Sequence, residues 1–396
     1  MHDVIVMGGN YSTVLGVARS LGEAGYKARL LAFDKATQNI AGKSKYVETC
    51  CQVARNNKQN YTEVYRALEK LRGENNHLLI IPLDDVSCMM LDEHALELSA
   101  HYDVPNINGE PGALSRFLEK MPQKELARQC GIPAAEGKAY HTDAEGIERA
   151  VSEVRFPCFL KPLASAKCIA SKDFFAKCDT GEELRRAMNK ARNNHACKNV
   201  LVEDFLDIEK ELCAYGVAGN GKVFIPACME TLRGGYGCHK GVAVEGIVTS
   251  ARHLGVLKEK LETFVKRSGF TGMFCIDMIQ SNGIIFFSEM NLRNGGSGYG
   301  VTLAGANLPG TLADMVYHDS SQGPEDIRRD VRFLSERLEL DACVDGFISI
   351  KDYETHIADV QERFIEDEKD PRPWESFKKT AFRKLLKKRI KSIFGK

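Results

Sequence analysis

The sequence predicts a multidomain chain that mixes α/β and α+β architecture. Its 396 residues exceed one ordinary hydrophobic core. Its opening third alternates strand and helix signals, the order of a parallel sheet with right-handed crossovers. From Leu212 to Met290 strand signals dominate instead, broken by a glycine-rich loop and a single helix.

The elements follow in order. An apolar strand over Asp3–Met7 leads into Gly8-Gly9-Asn10 and a helix expected from about Ser12 to Ala24, with Gly25 as its C-cap. Lys27–Phe33, ending at Asp34, reads as the second strand and Leu78–Ile81 as the third. The third runs into Pro82-Leu83-Asp84-Asp85 and a helix reaching about Ala100. Residues 1–112 are therefore expected to form a Rossmann-like parallel βαβ domain. The full G-x-G-x-x-G fingerprint is absent, and a tight strand-to-helix turn accounts for Gly8-Gly9. Turn-formers in Pro105–Gly112 mark the first boundary. A helix over about Ala113–Cys130 and Gly131-Ile132-Pro133 follow. Strands are expected at Cys158–Lys161, Phe174–Ala176 and Val200–Glu203, with a helix at about Glu182–Asn193 before the last. Beyond them lie the loop RGGYGCHKG (233–241) and a helix at about Val256–Ser268. The remaining units are read as 113–205, 206–330, a C-terminal extension 331–373 and a basic tail 374–396.

Composition limits the function classes. With 54 basic and 54 acidic residues the formal net charge is zero, which argues against bulk nucleic-acid binding. Thirteen cysteines form no C-x-x-C pair, and the opening MHDVIVMGGN enters a strand pattern with no leader signature. No run approaches the roughly 18 apolar residues of a membrane span. The expectation is free thiols in a reducing cytoplasm.

The chemistry concentrates in two segments, GMFCIDMIQ (272–280) and GIIFFSEMNLRNGGS (283–297). Each alternates apolar residues around one acid, and Ser281-Asn282-Gly283 reads as a hairpin turn between them. Folded back, Asp277 and Glu289 lie side by side with Asn291 two residues further along the same face. Three oxygen donors suit a hard cation such as Mg²⁺, and Arg293 beside them suits a phosphate or carboxylate. Upstream, FLKPLAS (159–165) ends an apolar strand on Lys161, although lysine is rarely buried unless paired. VLVEDFLDIEKEL (200–212) reads as strand, linker and strand, the geometry of an interdomain hinge where a nucleotide base could lie.

Taken in order over roughly residues 114–315, these motifs resemble the ATP-grasp superfamily of ATP-dependent ligases. The twelve-residue gap between the acids and the E-M-N-x-R string carry most of the resemblance. It implies ATP and Mg²⁺ (or Mn²⁺) as cofactors. It implies that Lys120 and Lys161 contact nucleotide and phosphate, with Lys124 competing for the first role. Glu203 then lies near the adenine amino group, the backbone of Asp204, Phe205 and Leu206 reads the adenine edge, and Glu211 contacts the ribose, with Glu209 as its rival. Asp277, Glu289 and Asn291 match the magnesium ligands. Arg293 matches the arginine facing the transferred phosphoryl group, and Lys240 a substrate-side lysine, with Arg233 in the same loop.

The resemblance implies an amide-forming carboxylate–amine ligase working through an acyl phosphate. EMNLRNGGSGYGVTLAGANLPG (289–310) and FIEDEKDPRPW (364–374) resemble the D-aspartate ligase and carbamoyl-phosphate-synthase-like branch, so the expected carboxylate is an amino acid or cell-envelope precursor. Alternatives are a small-molecule or dipeptide ligase of another branch and a non-catalytic ATP-binding scaffold. The second draws on ASAKCIAS (164–171), which lacks the glycines that let a loop close on phosphates. In it Ser165, Ser171 and Lys167 remain able to contact phosphate. Residues 375–396 hold nine Lys or Arg and one acid, a net of +8, with Phe382, Leu385, Leu386, Ile390, Ile393 and Phe394 at helical spacing. That pattern suggests an amphipathic helix for an anionic membrane surface at the inner face. A homodimer is the default assembly.

Overall fold

The computed structural model describes residues 2–54, 60–74, 77–163, 175–195, 197–239, 241–360 and 362–394. Three sheets organise them. The first contains β1 (Asp3–Gly8), β2 (Lys27–Ala32), β3 (Val47–Gln52), β4 (Leu78–Pro82) and β5 (Tyr102–Asp103), all parallel, in the order β3-β2-β1-β4-β5. After β6 (Asn106–Ile107) the second sheet is antiparallel. It contains β7 (Gly137–His141), β8 (Cys158–Pro162), β9 (Ala176–Cys178) and β10 (Asn199–Asp204), in the order β7-β10-β8-β9. The third takes β11 (Lys210–Gly219), β12 (Lys222–Gly234), β13 (Ala243–Ser250), β14 (Phe270–Ser281), β15 (Ile284–Asn291), β16 (Val331–Leu334) and β17 (Glu362–Arg363), and β6 pairs with β14.

The opening parallel βαβ unit forms as the sequence predicts. Asn10 caps the helix Tyr11–Glu23 by accepting from Ser12 N at 3.2 Å. A Cβ on Gly8 would stand 3.0 Å from Val14 Cγ2 and 3.2 Å from Leu83 Cβ. Close packing at the strand-to-helix turn therefore requires this glycine, with no need of a dinucleotide.

Several expectations are corrected. β3, with the mixed string VETCCQ, carries no clean alternation and escaped notice, as did β7. The helix expected to reach Ala100 breaks at His94 into Asp85–Glu93 and Ala95–Leu98. The helix expected over Ala113–Cys130 is two, Ala113–Phe117 and Lys120–Gln129. Pro122 in the first turn of the second, where a missing N–H costs nothing, is the signal for the restart. β9 runs over Ala176–Cys178, and Phe174 of its expected range lies outside the described residues. β16 and β17 belong to the third sheet, so that sheet runs across the expected boundary at residue 330.

The C-terminal segment is bound into the core. Arg19 is fully buried, and its guanidinium donates to Asp370 Oδ2 at 3.0 Å, Phe364 O at 3.1 Å and Ile365 O at 3.0 Å. Asp370 also accepts from Ser44 Oγ at 2.7 Å and Lys45 N at 2.9 Å. From the other side the buried Glu336 carboxylate accepts from Phe364 N, Ile365 N and Glu366 N. Arg19→Met is expected to cost about 3–5 kcal/mol, because Asp370 would keep its charge and lose its counter-ion. Urea denaturation monitored by circular dichroism would read that loss.

The basic tail is likewise only partly free. Its helix spans Pro371–Phe394, with Phe377 and Ala381 buried in the core shared with the first sheet and Leu385 packed against it. Phe382 and Leu386 point outward, 67% and 45% exposed. Among the described residues no helix is long and apolar enough to cross a membrane.

Candidate functional site

The hairpin forms at the expected place. Asn282 and Gly283 take φ of 50° and 72°, the two positive values that an Asn-Gly turn supplies with little strain. Ser281 pairs with Ile284 across it, and further down Asp277 stands directly opposite Glu289, with Cys275 opposite Asn291. A bulge between Asp277 and Met278 takes up one extra residue of β15, which re-aims the acidic end relative to the turn.

The carboxylates differ in state. Burial and then the neighbouring Glu289 charge push Asp277 up to about 6. Burial also opposes the Glu289 charge, but Lys120, by attraction and hydrogen bond, with Lys161 and Arg293 behind it, holds that carboxyl at about 2. Lys120 Nζ lies 2.6 Å from Glu289 Oε2. Asn291 Nδ2 donates to Asp277 Oδ2 at 2.9 Å, and Asn291 Oδ1 accepts from Arg293 Nη2 at 3.2 Å. Arg293 Nε also donates to Asp85 Oδ1 at 2.7 Å, tying the hairpin to the start of the helix that follows β4. Asp277, Glu289 and Asn291 thus offer clustered hard oxygen donors, and two carboxylates side by side favour a divalent cation between them.

A second cluster lies on the antiparallel four-stranded sheet. Glu203, near the end of β10, is paired by Lys161 from β8 and by Lys124, each 2.6 Å from a separate carboxylate oxygen. All three are at least 90% buried. Burial opposes the Glu203 charge, but the two lysines overcome it and hold the carboxyl below its ordinary value. Burial drives Lys124 down to about 8 despite Glu203. Lys120 and Lys124 sit one turn apart on one helix, Lys120 on Glu289 of the hairpin and Lys124 on Glu203. Gln123 between them accepts from Met290 N at 2.7 Å and donates to Met290 O at 3.0 Å, which pins this helix to β15.

The hinge segment is half-buried from Asp204 to Leu206. Asp204 N donates to Glu136 O at 2.8 Å and Phe205 N to Pro157 O at 3.3 Å. Lys177 Nζ lies over the Phe205 ring at 4.7 Å. Glu211 shares the row of Cys213 and Asp277 on one face of the third sheet, whereas Glu209 is spent on the hairpin, accepting from Gly283 N at 3.1 Å. Arg233 is held by Glu339 at 2.8 Å and Glu245 at 3.4 Å, so its charge is matched within the protein. Ser165, Lys167 and Lys240, with the loop 164–171, lie outside the described residues. Two contributors escaped the sequence reading. Asp85 follows β4 as the second acid of a noted pair, and Gln123 lies a helical turn from Lys120.

Glu203→Gln is expected to cost about 3–5 kcal/mol at neutral pH, since it leaves two buried lysines without a counter-ion. The folded carboxyl is held below its unfolded value. The stabilisation is therefore complete above the unfolded pKa and is lost as pH falls through the folded one. Thermal melts of wild type and variant should converge in acid, and a constant gap would contradict the assignment.

A parallel sheet, a small antiparallel sheet and a larger sheet in this order give the chain a fold shared with known structures. N5-carboxyaminoimidazole synthetase from Staphylococcus aureus complexed with ADP superposes with a TM-score of 0.64 at 16% identity, over 87% of this chain and 85% of that one. The biotin carboxylase domain of Hydrogenobacter thermophilus 2-oxoglutarate carboxylase, solved with MgADP and bicarbonate, gives 0.63 at 15% identity over 82% and 70%. The chain has the ATP-grasp fold. L-amino acid ligase from Bacillus licheniformis shares this ATP-grasp fold at a TM-score of 0.60 and 14% identity, over 84% and 79% of the two chains. By sequence, the chain is 26% identical over 184 residues to formate-dependent phosphoribosylglycinamide formyltransferase of Pelobacter propionicus, 46% of this chain and 45% of that protein. The chain thus spans about half the length of the first curated relatives it matches. No protein-family model matches it.

Proposed function

We propose that this ATP-grasp chain is an ATP- and Mg²⁺-dependent carboxylate–amine ligase that works through an acyl phosphate. The observation that carries the reading is the direct pairing of Asp277 with Glu289, with Lys120 seated on Glu289 and the Lys161–Glu203–Lys124 group close by. Asp277, Glu289 and Asn291 would hold Mg²⁺ (or Mn²⁺), which when bound neutralises charge on the phosphate oxygens. Lys120 and Lys161, each resting on a carboxylate, transfer to the nucleotide phosphates. Glu203, the Asp204 carbonyl and the Leu206 N–H receive the adenine, and Glu211 the ribose. Arg293 holds the substrate carboxylate and then its acyl phosphate. The chemistry is positioning and electrostatics.

The substrate class draws on the names of similar proteins. A formate-dependent formyltransferase acting on phosphoribosylglycinamide and an L-amino acid ligase both point to a carboxylate and an amine. For this chain we read the carboxylate as an amino acid or cell-envelope precursor. ADP release across a panel of carboxylates, each with and without an amine, tests the reading. Release that requires Mg²⁺, a carboxylate and an amine is expected. Nucleotide-dependent melting with no ADP from any pair would favour a non-catalytic scaffold.

The tail refines the location. Phe382 and Leu386, four residues apart and exposed, sit among Lys378, Lys379 and Arg383, a face suited to an anionic surface on the cytoplasmic side. Ending the chain at Pro373 would remove Phe377 and Ala381 from the core, so point substitution is the cleaner test. Phe382→Ser with Leu386→Ser is expected to abolish co-sedimentation with phosphatidylserine vesicles at low salt. Equal binding by both proteins would remove the membrane reading.

A further inference from the structure

We propose that Cys213, Cys275 and Asp277 form a site for a thiophilic divalent cation of the Zn²⁺ or Cd²⁺ class, and that filling it excludes Mg²⁺ from Asp277. The strand register builds the cluster. Cys213 on β11 lies opposite Asp277 on β14, and Tyr215 opposite Cys275, so all four side chains share one face of the sheet. One ligand atom from each of Cys213, Cys275 and Asp277 lies within 4.8 Å of the others. Around a single zinc ion, with Zn–S about 2.3 Å and Zn–O about 2.0–2.2 Å, such ligands stand about 3.5–3.8 Å apart. The three groups need to close by no more than about 1.3 Å to meet that geometry.

The surroundings give the cluster a floor and a mouth. Cys213 and Cys275 are 4% and 3% exposed, while Asp277 is half-buried, so the carboxylate is the rim and the thiols lie beneath it. A Cβ at position 295 would stand 3.0 Å from Cys275 Sγ and 2.7 Å from Tyr215 Oη. Glycine there lets the backbone close over the thiols without filling their space. Ligand softness then separates two uses of one carboxylate. A hard ion takes Asp277 with Glu289 and Asn291, all oxygen donors. A soft ion takes Asp277 with two thiolates, and water completes a tetrahedral shell. Binding releases the two thiol protons and involves no oxidation. The competition with Mg²⁺ rests on the reading of Asp277 as a Mg²⁺ ligand; the thiolate site does not.

The test is a Cd²⁺ titration of the full chain, read by the ultraviolet thiolate-to-cadmium charge-transfer band, in wild type and in Cys213→Ser with Cys275→Ser. Wild type is expected to bind one Cd²⁺ more than the variant, the difference removing the contribution of the other cysteines. Loss of an outer-shell partner alone costs about 10–100-fold in metal affinity, and loss of two direct ligands should exceed that. Equal stoichiometry and equal band intensity would overturn the site. Asp277→Asn, which keeps both thiols, provides a second reading should the double variant fold poorly: weaker Cd²⁺ binding supports the site and unchanged binding overturns it. Cd²⁺ loaded first is then expected to remove the Mg²⁺-dependent part of the binding of a non-hydrolysable ATP analogue in wild type and to leave it in the double cysteine variant. Equal Mg²⁺ dependence with and without Cd²⁺ in wild type would overturn the competition while leaving the thiolate site standing.

Discussion

Glu289→Gln is expected to abolish substrate-dependent ADP release while leaving the fold intact. Glu289 serves twice in this site. It stands opposite Asp277 as the better ionised of the two acids, held at about 2, and it receives Lys120 at 2.6 Å. The amide keeps the shape and one acceptor oxygen, so Lys120 retains a partner and Met290 keeps its bonds to Gln123. The charge that draws a divalent cation is lost. Removal of one preorganised electrostatic group from a reacting centre costs about 10²–10³ in turnover, and loss of a direct metal ligand should reach at least that. Coupled ADP detection measures the effect, and circular-dichroism melting provides the folding control. Unchanged turnover would sink the assignment.

Arg293→Ala is expected to lower turnover by a comparable factor, about 10²–10³, with a different signature. Arg293 bonds Asp85 at 2.7 Å and Asn291 at 3.2 Å, so it spans the first domain and the acidic hairpin. Burial opposes its charge, but Asp85 and its neighbours hold the guanidinium firmly ionised. If it faces the substrate carboxylate, the variant should keep its affinity for the nucleotide and lose apparent affinity for the carboxylate together with kcat. Arg293→Lys should rescue little, because an ammonium lacks the planar two-pronged donor set. Wild-type kinetics in Arg293→Ala would remove the residue from the site.

These two residues also show where a sequence is legible. The hairpin could be read because its information is local. Asn282-Gly283 fixes the turn and the register next to it, which alone would set Ser288 opposite Asp277; the one-residue bulge in β15 brings Glu289 there instead. Asp277 and Glu289 are only twelve residues apart, and the structure sets them directly opposite one another. The long-range partners were not legible. Arg293 and Asp85 are 208 residues apart, and Arg19 and Asp370 are 351 apart. Nothing in the local pattern of either pair selects the other. The tail is legible only in part. Its helical spacing is local, but spacing alone does not reveal that Phe377 and Ala381 pack into the protein's own core. The pairing of Lys161 and Lys124 on one glutamate is intermediate. Buried lysines demand a counter-ion, but the sequence offered Glu203, Asp207, Glu209 and Glu211 as candidates, and only the fold chooses Glu203.

The most direct measurement is calorimetric titration of a non-hydrolysable ATP analogue into the wild-type chain, with and without Mg²⁺. The account predicts saturable binding at one site, strengthened by Mg²⁺, through the lysines that now rest on Glu289 and Glu203 and the oxygen donors of Asp277, Glu289 and Asn291. Absence of binding, or binding indifferent to Mg²⁺, would contradict it.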